Sequence, residues 1–150
     1  MSFNRDTAPR PAQASSEVAK LENLFRQEDA GKDELMRLAE KYEDSLRLLK
    51  TNQLRNRLEM IIWVKTSHKG TLQDEISQET RGRLAVCRPR LAYMAARENK
   101  LKELRAGLNN LLEKQDAFKK GADLDRLYDF TSAIVAYHKY FLVEDEKRSR

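Results

Sequence analysis

Tight turns need glycine or proline, and this chain has only five glycines and three prolines in 150 residues. Between them run long stretches in which apolar residues recur every three or four positions, the period of one helix face. No stretch of useful length alternates apolar and polar residues as a half-buried strand would, and a barrel or sandwich would need many more turn signals. The pattern predicts an all-α fold of long helices joined by short loops. At this length a single-domain helical bundle of about five helices can bury one core.

Residues 1–15 hold two of the three prolines and no apolar periodicity, and read as a flexible N-terminal tail. The bundle is expected over residues 16–142. Ser16 is placed to cap a helix carrying Val18, Leu21, Leu24 and Phe25. After a break at Ala30-Gly31, a second helix is predicted from Lys32 to about Leu49, on Leu35, Leu38, Tyr42 and Leu46. Thr51 reads as the N-cap of a third, running to about Lys65 on Leu54, Leu58, Ile61 and Ile62. Beyond a loop at Ser67–Thr71, one helix start falls near Leu72, and another helix spans about Gly82 to Lys114. Pro89 should kink or restart it. The last helix is expected from Asp123 to about Leu142, with Leu124, Leu127, Ile134, Val135 and His138 on one face, and residues 143–150 follow as a charged tail.

Charged residues make up 35% of the chain, and the formal net charge is +5 with a pI near 9.3. That balance permits an anionic partner such as nucleic acid, and equally serves solubility. The lone Cys87 rules out an internal disulfide and a cysteine-based zinc site. No apolar run approaches the roughly 20 residues that span a bilayer, and the N-terminus lacks the apolar core of a signal peptide. No membrane association and a cytoplasmic location are expected.

Catalytic constellations are hard to find. His68 sits in a polar loop, and His138 falls on an apolar face where a hydrogen-bonded core histidine is the better reading. Val64-Lys65-Thr66 has no glycine-rich stretch before it and is no phosphate loop. Metal-binding spacing such as His-Glu-x-x-His is absent, so neither a metal nor a cofactor is expected.

The basic residues say more. Arg83, Arg90 and Arg97 repeat every seven residues, so on a continuous helix they align along one edge with about 20° of drift per step and a rise of about 10.5 Å. Such a ridge can track a phosphate backbone through bidentate guanidinium contacts; it can also be a solvated face. Arg81 and Arg88 thicken the ridge, Lys100 and Lys102 extend it, and Tyr93 lies among them, able to stack on a base. A second cluster, Lys50, Arg55 and Arg57, opens the third helix, where free backbone N–H groups also favour phosphate. Trp63 falls opposite that helix's apolar stripe, so it either packs under a neighbouring helix or sits in a subunit contact.

Three segments together resemble the small-subunit family of type III-A CRISPR effector (Csm) complexes. Thr51-Asn52-Gln53-Leu54-Arg55-Asn56-Arg57 is similar to the family's threonine-led motif opening a helix. Leu84 to Arg97, with Arg88-Pro89-Arg90-Leu91-Ala92-Tyr93, resembles its basic–Pro–basic–Leu–Ala–Tyr segment and trailing arginine. Phe130 to Phe141, with Ile134-Val135-Ala136-Tyr137 and Lys139-Tyr140, is similar to its C-terminal signature. The order and spacing of the three cover roughly residues 33–142.

The resemblance implies a non-catalytic, RNA-binding subunit of an antiviral ribonucleoprotein. It would line the filament beside other effector subunits and copies of itself, and hold guide RNA and target RNA. On that reading Arg55, Arg57, Arg83, Arg88, Arg90, Arg97, Lys100 and Lys139 are the RNA-binding candidates, with Tyr93 and Tyr137 read as packing residues. The grip would be independent of sequence, since guide–target pairing reads the bases. The competing reading is a stand-alone helical adaptor that binds another protein through a bundle groove.

Overall fold

The computed structural model of the chain describes residues 20–27 and 31–149. Six α-helices lie within them: α1 (20–26), α2 (Lys32–Asp44), α3 (Thr51–Ile62), α4 (Gln78–Arg97), α5 (Lys102–Lys114) and α6 (Gly121–Ser149). Short 3₁₀ turns follow α3 at Trp63–Ser67 and precede α5 at Asn99–Leu101. Among the described residues there is no strand, only an isolated bridge between Glu75 and Lys120. The all-α expectation holds. The 1–15 tail and the Ser16 cap lie outside the described residues.

The long α6 is the axis of the bundle. It packs along α2 and α3, while α4 packs against α5. The stripes expected to be apolar are buried: Leu35, Leu38 and Tyr42 on α2, Leu54, Leu58 and Ile61 on α3, Leu84 and Leu91 on α4, Leu127, Ile134 and Val135 on α6. Aromatic rings knit the far end. Phe130 of α6 meets Phe25 of α1 edge-on at 6.4 Å and Tyr42 of α2 at 5.9 Å, and Phe25 meets Phe118 at 5.6 Å. Tyr42 lies across α5 at Gly107, where an added Cβ would stand 2.8 Å from its ring carbon Cζ. A mid-helix glycine costs about 1 kcal/mol relative to alanine; here close packing outweighs that propensity.

Two polar clamps hold α6, one in its first turn and one beyond its middle. In its first turn, buried Asp123 accepts the Lys119 and Lys120 backbone N–H groups at 2.7 and 3.1 Å and an Arg126 N–H at 2.6 Å. Arg126 also donates to the carbonyls of Phe25 and Gln27 at 2.6 and 2.9 Å, anchoring the end of α1. Toward the other end, His138 is fully buried, as its position on the apolar face predicts. Its Nε2 lies 3.0 Å from the Leu46 carbonyl oxygen, which can only accept, so Nε2 carries a hydrogen. Its Nδ1 is 2.8 Å from the Thr51 hydroxyl, which can then donate to it. One imidazole thus ties the α2–α3 turn, the start of α3 and α6 together. His138→Ala is expected to lower stability by about 1–3 kcal/mol, through a cavity and lost hydrogen bonds, without weakening RNA binding by the folded protein. Chemical denaturation alongside an RNA titration checks both.

Several boundaries differ from the sequence reading. Thr51 does not cap α3; Lys50 takes the N-cap position, and Thr51 is spent on His138. α2 ends at Asp44 and turns before Leu49, and α3 ends at Ile62 rather than near Lys65. No helix starts at Leu72. Instead the Ser77 hydroxyl accepts the Thr80 N–H at 3.2 Å and caps α4 well before Gly82. Pro89 lies inside α4, which runs through it; the chain breaks at extended Glu98. Ala85, whose carbonyl loses its partner to proline, is on the exposed side, where water can satisfy it. α6 continues to Ser149, through most of the stretch read as a charged tail. No helix among the described residues is long and apolar enough to cross a membrane.

Candidate nucleic-acid interface

Burial of Leu54, Leu58 and Ile61 turns the polar side of α3 outward, and burial of Leu84, Cys87, Leu91 and Ala95 does the same for α4. Because α4 is continuous, Arg83, Arg90 and Arg97 do share one edge, and all three are exposed. Val86 and Tyr93 lie on that edge too, 50% and 61% exposed. Tyr93 is therefore no packing residue. Its hydroxyl accepts an Arg97 N–H at 2.8 Å, and the Arg97 guanidinium stands 5.7 Å from its ring centre. Tyr137, by contrast, is part-buried and stacks on Phe141 at 6.4 Å.

Between α3 and α4 runs an open groove of about 390 Å³. From α3 it is lined by Asn56, Arg57 and Met60; from α4, by Pro89, Arg90, Tyr93 and Met94. Two of the three motifs, distant in sequence, thus form the two walls of one site. The seven-residue spacing flags Arg90, and the basic cluster opening α3 flags Arg57. Asn56, Met60 and Met94 carry no such signal, since nothing in either helix alone says which face meets the other.

The electrostatics single out part of this face. Arg83 reaches Glu79 at 3.5 Å in an exposed pair that holds little energy, and Lys100 reaches Glu98 at 3.3 Å in a part-buried one. Arg55, Arg57, Arg90 and Lys139 have no ion pair or side-chain hydrogen bond among the described residues. At the start of α3, Lys50 gives no side-chain cap, and the positive helix end there has no acidic side chain in its first turn to offset it.

Other candidates lie elsewhere. Arg88, two residues and some 200° from Arg90, faces α5 and stands 3.9 Å from Glu113. Arg81 leaves the ridge altogether: it donates to the Phe118 carbonyl at 2.9 Å and takes the Gln115 amide N–H on its own carbonyl at 3.2 Å. Arg55 and Lys139 are exposed but do not line the groove. Trp63 is 54% exposed, with its indole N–H on Glu59 at 2.9 Å, so it packs under no helix among the described residues.

Groups with catalytic potential are otherwise engaged. His68 Nε2 is 2.7 Å from the Thr71 carbonyl, and His138 is in the core. Burial pushes the Cys87 thiol up to about 11, so it stays protonated and unreactive near neutral pH. Among the described residues no three His, Cys, Asp or Glu side chains gather as a metal site would require.

A family model described as Csm2 Type III-A matches residues 29–144, from the α1–α2 junction through most of α6. No curated protein and no solved structure matches the chain. The match spans well over half the sequence and contains both walls of the groove. The chain belongs to the Csm2 Type III-A family: it is a small, structural subunit of a type III-A CRISPR effector, working with the other Csm subunits and the CRISPR RNA.

Proposed function

We propose that this subunit holds the guide RNA–target RNA duplex inside the effector filament through sequence-independent backbone contacts, and takes no part in catalysis itself. Copies of the subunit would stand side by side along the RNA, in the cytoplasm. The observation that carries this reading is the meeting of Arg57 and Arg90 across one groove, neither with a carboxylate partner among the described residues. Most other arginines among the described residues are paired or clamped. Two unpaired guanidinium groups on facing helices, with Arg83 and Arg97 about 10.5 Å to either side of Arg90, form a cationic track suited to phosphates. Arg55, Arg88 and Lys139 do not line this groove, and Lys100 follows the end of α4; their contacts would be with other RNA segments or neighbouring subunits.

Binding of the purified subunit to two RNA duplexes of unrelated sequence, measured over a series of salt concentrations, tests the proposal. Affinity should be equal for the two and fall steeply with salt, and the bound RNA should be recovered intact. Salt-insensitive binding to a protein partner, with no RNA binding in either the free or the assembled subunit, would instead identify the groove as an adaptor site.

A further inference from the structure

The α3–α4 groove has a feature that a phosphate track does not require. Its floor is apolar: Met60 and Met94, both part-buried against the core, with Pro89 at one side. A phosphate gains nothing from methionine and proline, and loses hydration against them. The polar side chains of the lining are few. Arg57 and Arg90 stand on opposite walls, Asn56 offers a carboxamide with no partner among the described residues, and the Tyr93 ring is held in place by Arg97. The volume is at the small end of ligand pockets, which run from about 300 to 1,000 Å³.

We propose that this groove takes a single unstacked nucleobase, so that the subunit prefers RNA presenting an unpaired nucleotide over a fully paired duplex. This rests on the RNA-binding reading above. A base matches the groove part by part. Its apolar faces lie against the methionine thioethers and the Tyr93 ring. Its polar edge meets the Asn56 carboxamide, which both donates and accepts. The phosphates on either side of it fall to Arg57 and Arg90. Charge complementarity decides the occupant: an apolar floor alone would also suit a peptide side chain, but two unpaired arginines beside it suit a nucleotide.

The test uses the full-length subunit and two RNA duplexes of the same sequence, one fully paired and one with a single bulged 2-aminopurine. Stacking is worth about 1–3 kcal/mol per base, so the bulged RNA should bind roughly fivefold tighter or more, with a change in 2-aminopurine fluorescence on binding. Tyr93→Phe should keep the preference, because the ring remains. Tyr93→Ala should bring the ratio of the two affinities to about one. Arg57→Ala and Arg90→Ala should weaken both RNAs while the ratio persists. Tyr93 is exposed, so its variants should fold, and circular dichroism checks this. Equal affinity of the wild type for both RNAs, with the salt dependence intact, would overturn the base site and leave the RNA-binding reading standing. A preference that survives Tyr93→Ala would place the unpaired base elsewhere and also overturn it. Absence of salt-dependent RNA binding would sink both readings, and binding of a peptide to the groove in its place would assign the floor to a protein partner.

Discussion

An Arg57→Ala, Arg90→Ala double variant is expected to bind RNA about a hundredfold more weakly than the wild type. Each substitution removes a charge-assisted contact worth roughly 1.5 kcal/mol, or about tenfold in affinity. The two residues sit on different helices and share no carboxylate, and the hundredfold figure is the sum for two uncoupled contacts; a departure from it measures their coupling across the groove. Each lost phosphate contact should also flatten the slope of log affinity against log salt by somewhat less than one unit. Arg90→Lys separates charge from geometry: it keeps the cation and loses the planar fork, so its effect should be intermediate. Adding Arg83→Ala and Arg97→Ala should deepen the loss. Filter binding by the free subunit and target RNA binding by the assembled complex are the measurements. Unchanged affinity and slope in both, with all four arginines removed, would reduce this edge to a solvated face.

The largest expected loss of stability is at Phe130. Its side chain is fully buried and touches the rings of both Phe25 and Tyr42, so it joins three helices at once. Phe130→Ala should cost about 3–5 kcal/mol, from lost burial and from a cavity that three converging helices cannot collapse. A domain of this size has only about 5–15 kcal/mol of stability in total, so the melting temperature should fall by roughly 10–20 °C. Thermal denaturation followed by circular dichroism reads this directly. Phe130→Leu should recover much of the loss, since it restores most of the volume without the aromatic edge contacts. A shift of only a few degrees for Phe130→Ala would mean that the α1 end of the bundle contributes little.

Much of the core was legible because its signal is local. Leu54, Leu58 and Ile61 are buried as their spacing predicts, and so are Leu84, Leu91, Ile134 and Val135. His138 could be assigned to the core for the same reason: an apolar face continues through it. Element ends were less legible. Pro89 does not restart the helix, because the carbonyl it strands lies on the solvent side and α4 has its buried leucines on the other. Thr51 looks like a cap, but its hydroxyl finds a better use 87 residues away in sequence, on His138.

The candidate site divides the same way. Which residues are basic, and that Arg83, Arg90 and Arg97 share a helix edge, follows from sequence and the 3.6-residue period alone. So does the all-α class, since a chain poor in turn residues with three-to-four apolar spacing can close a core in few other ways. Which cations are left without a partner is a property of the packed bundle. Arg81 is consumed by the Gln115 and Phe118 backbone, and Arg88 is turned toward Glu113. Arg57 and Arg90 meet only because α3 and α4 lie side by side. Periodicity fixes each side chain's angle about its own helix axis. The rotation of one helix against the next is set by how buried side chains interlock, as Tyr42 does over Gly107, and that is decided only in the tertiary structure.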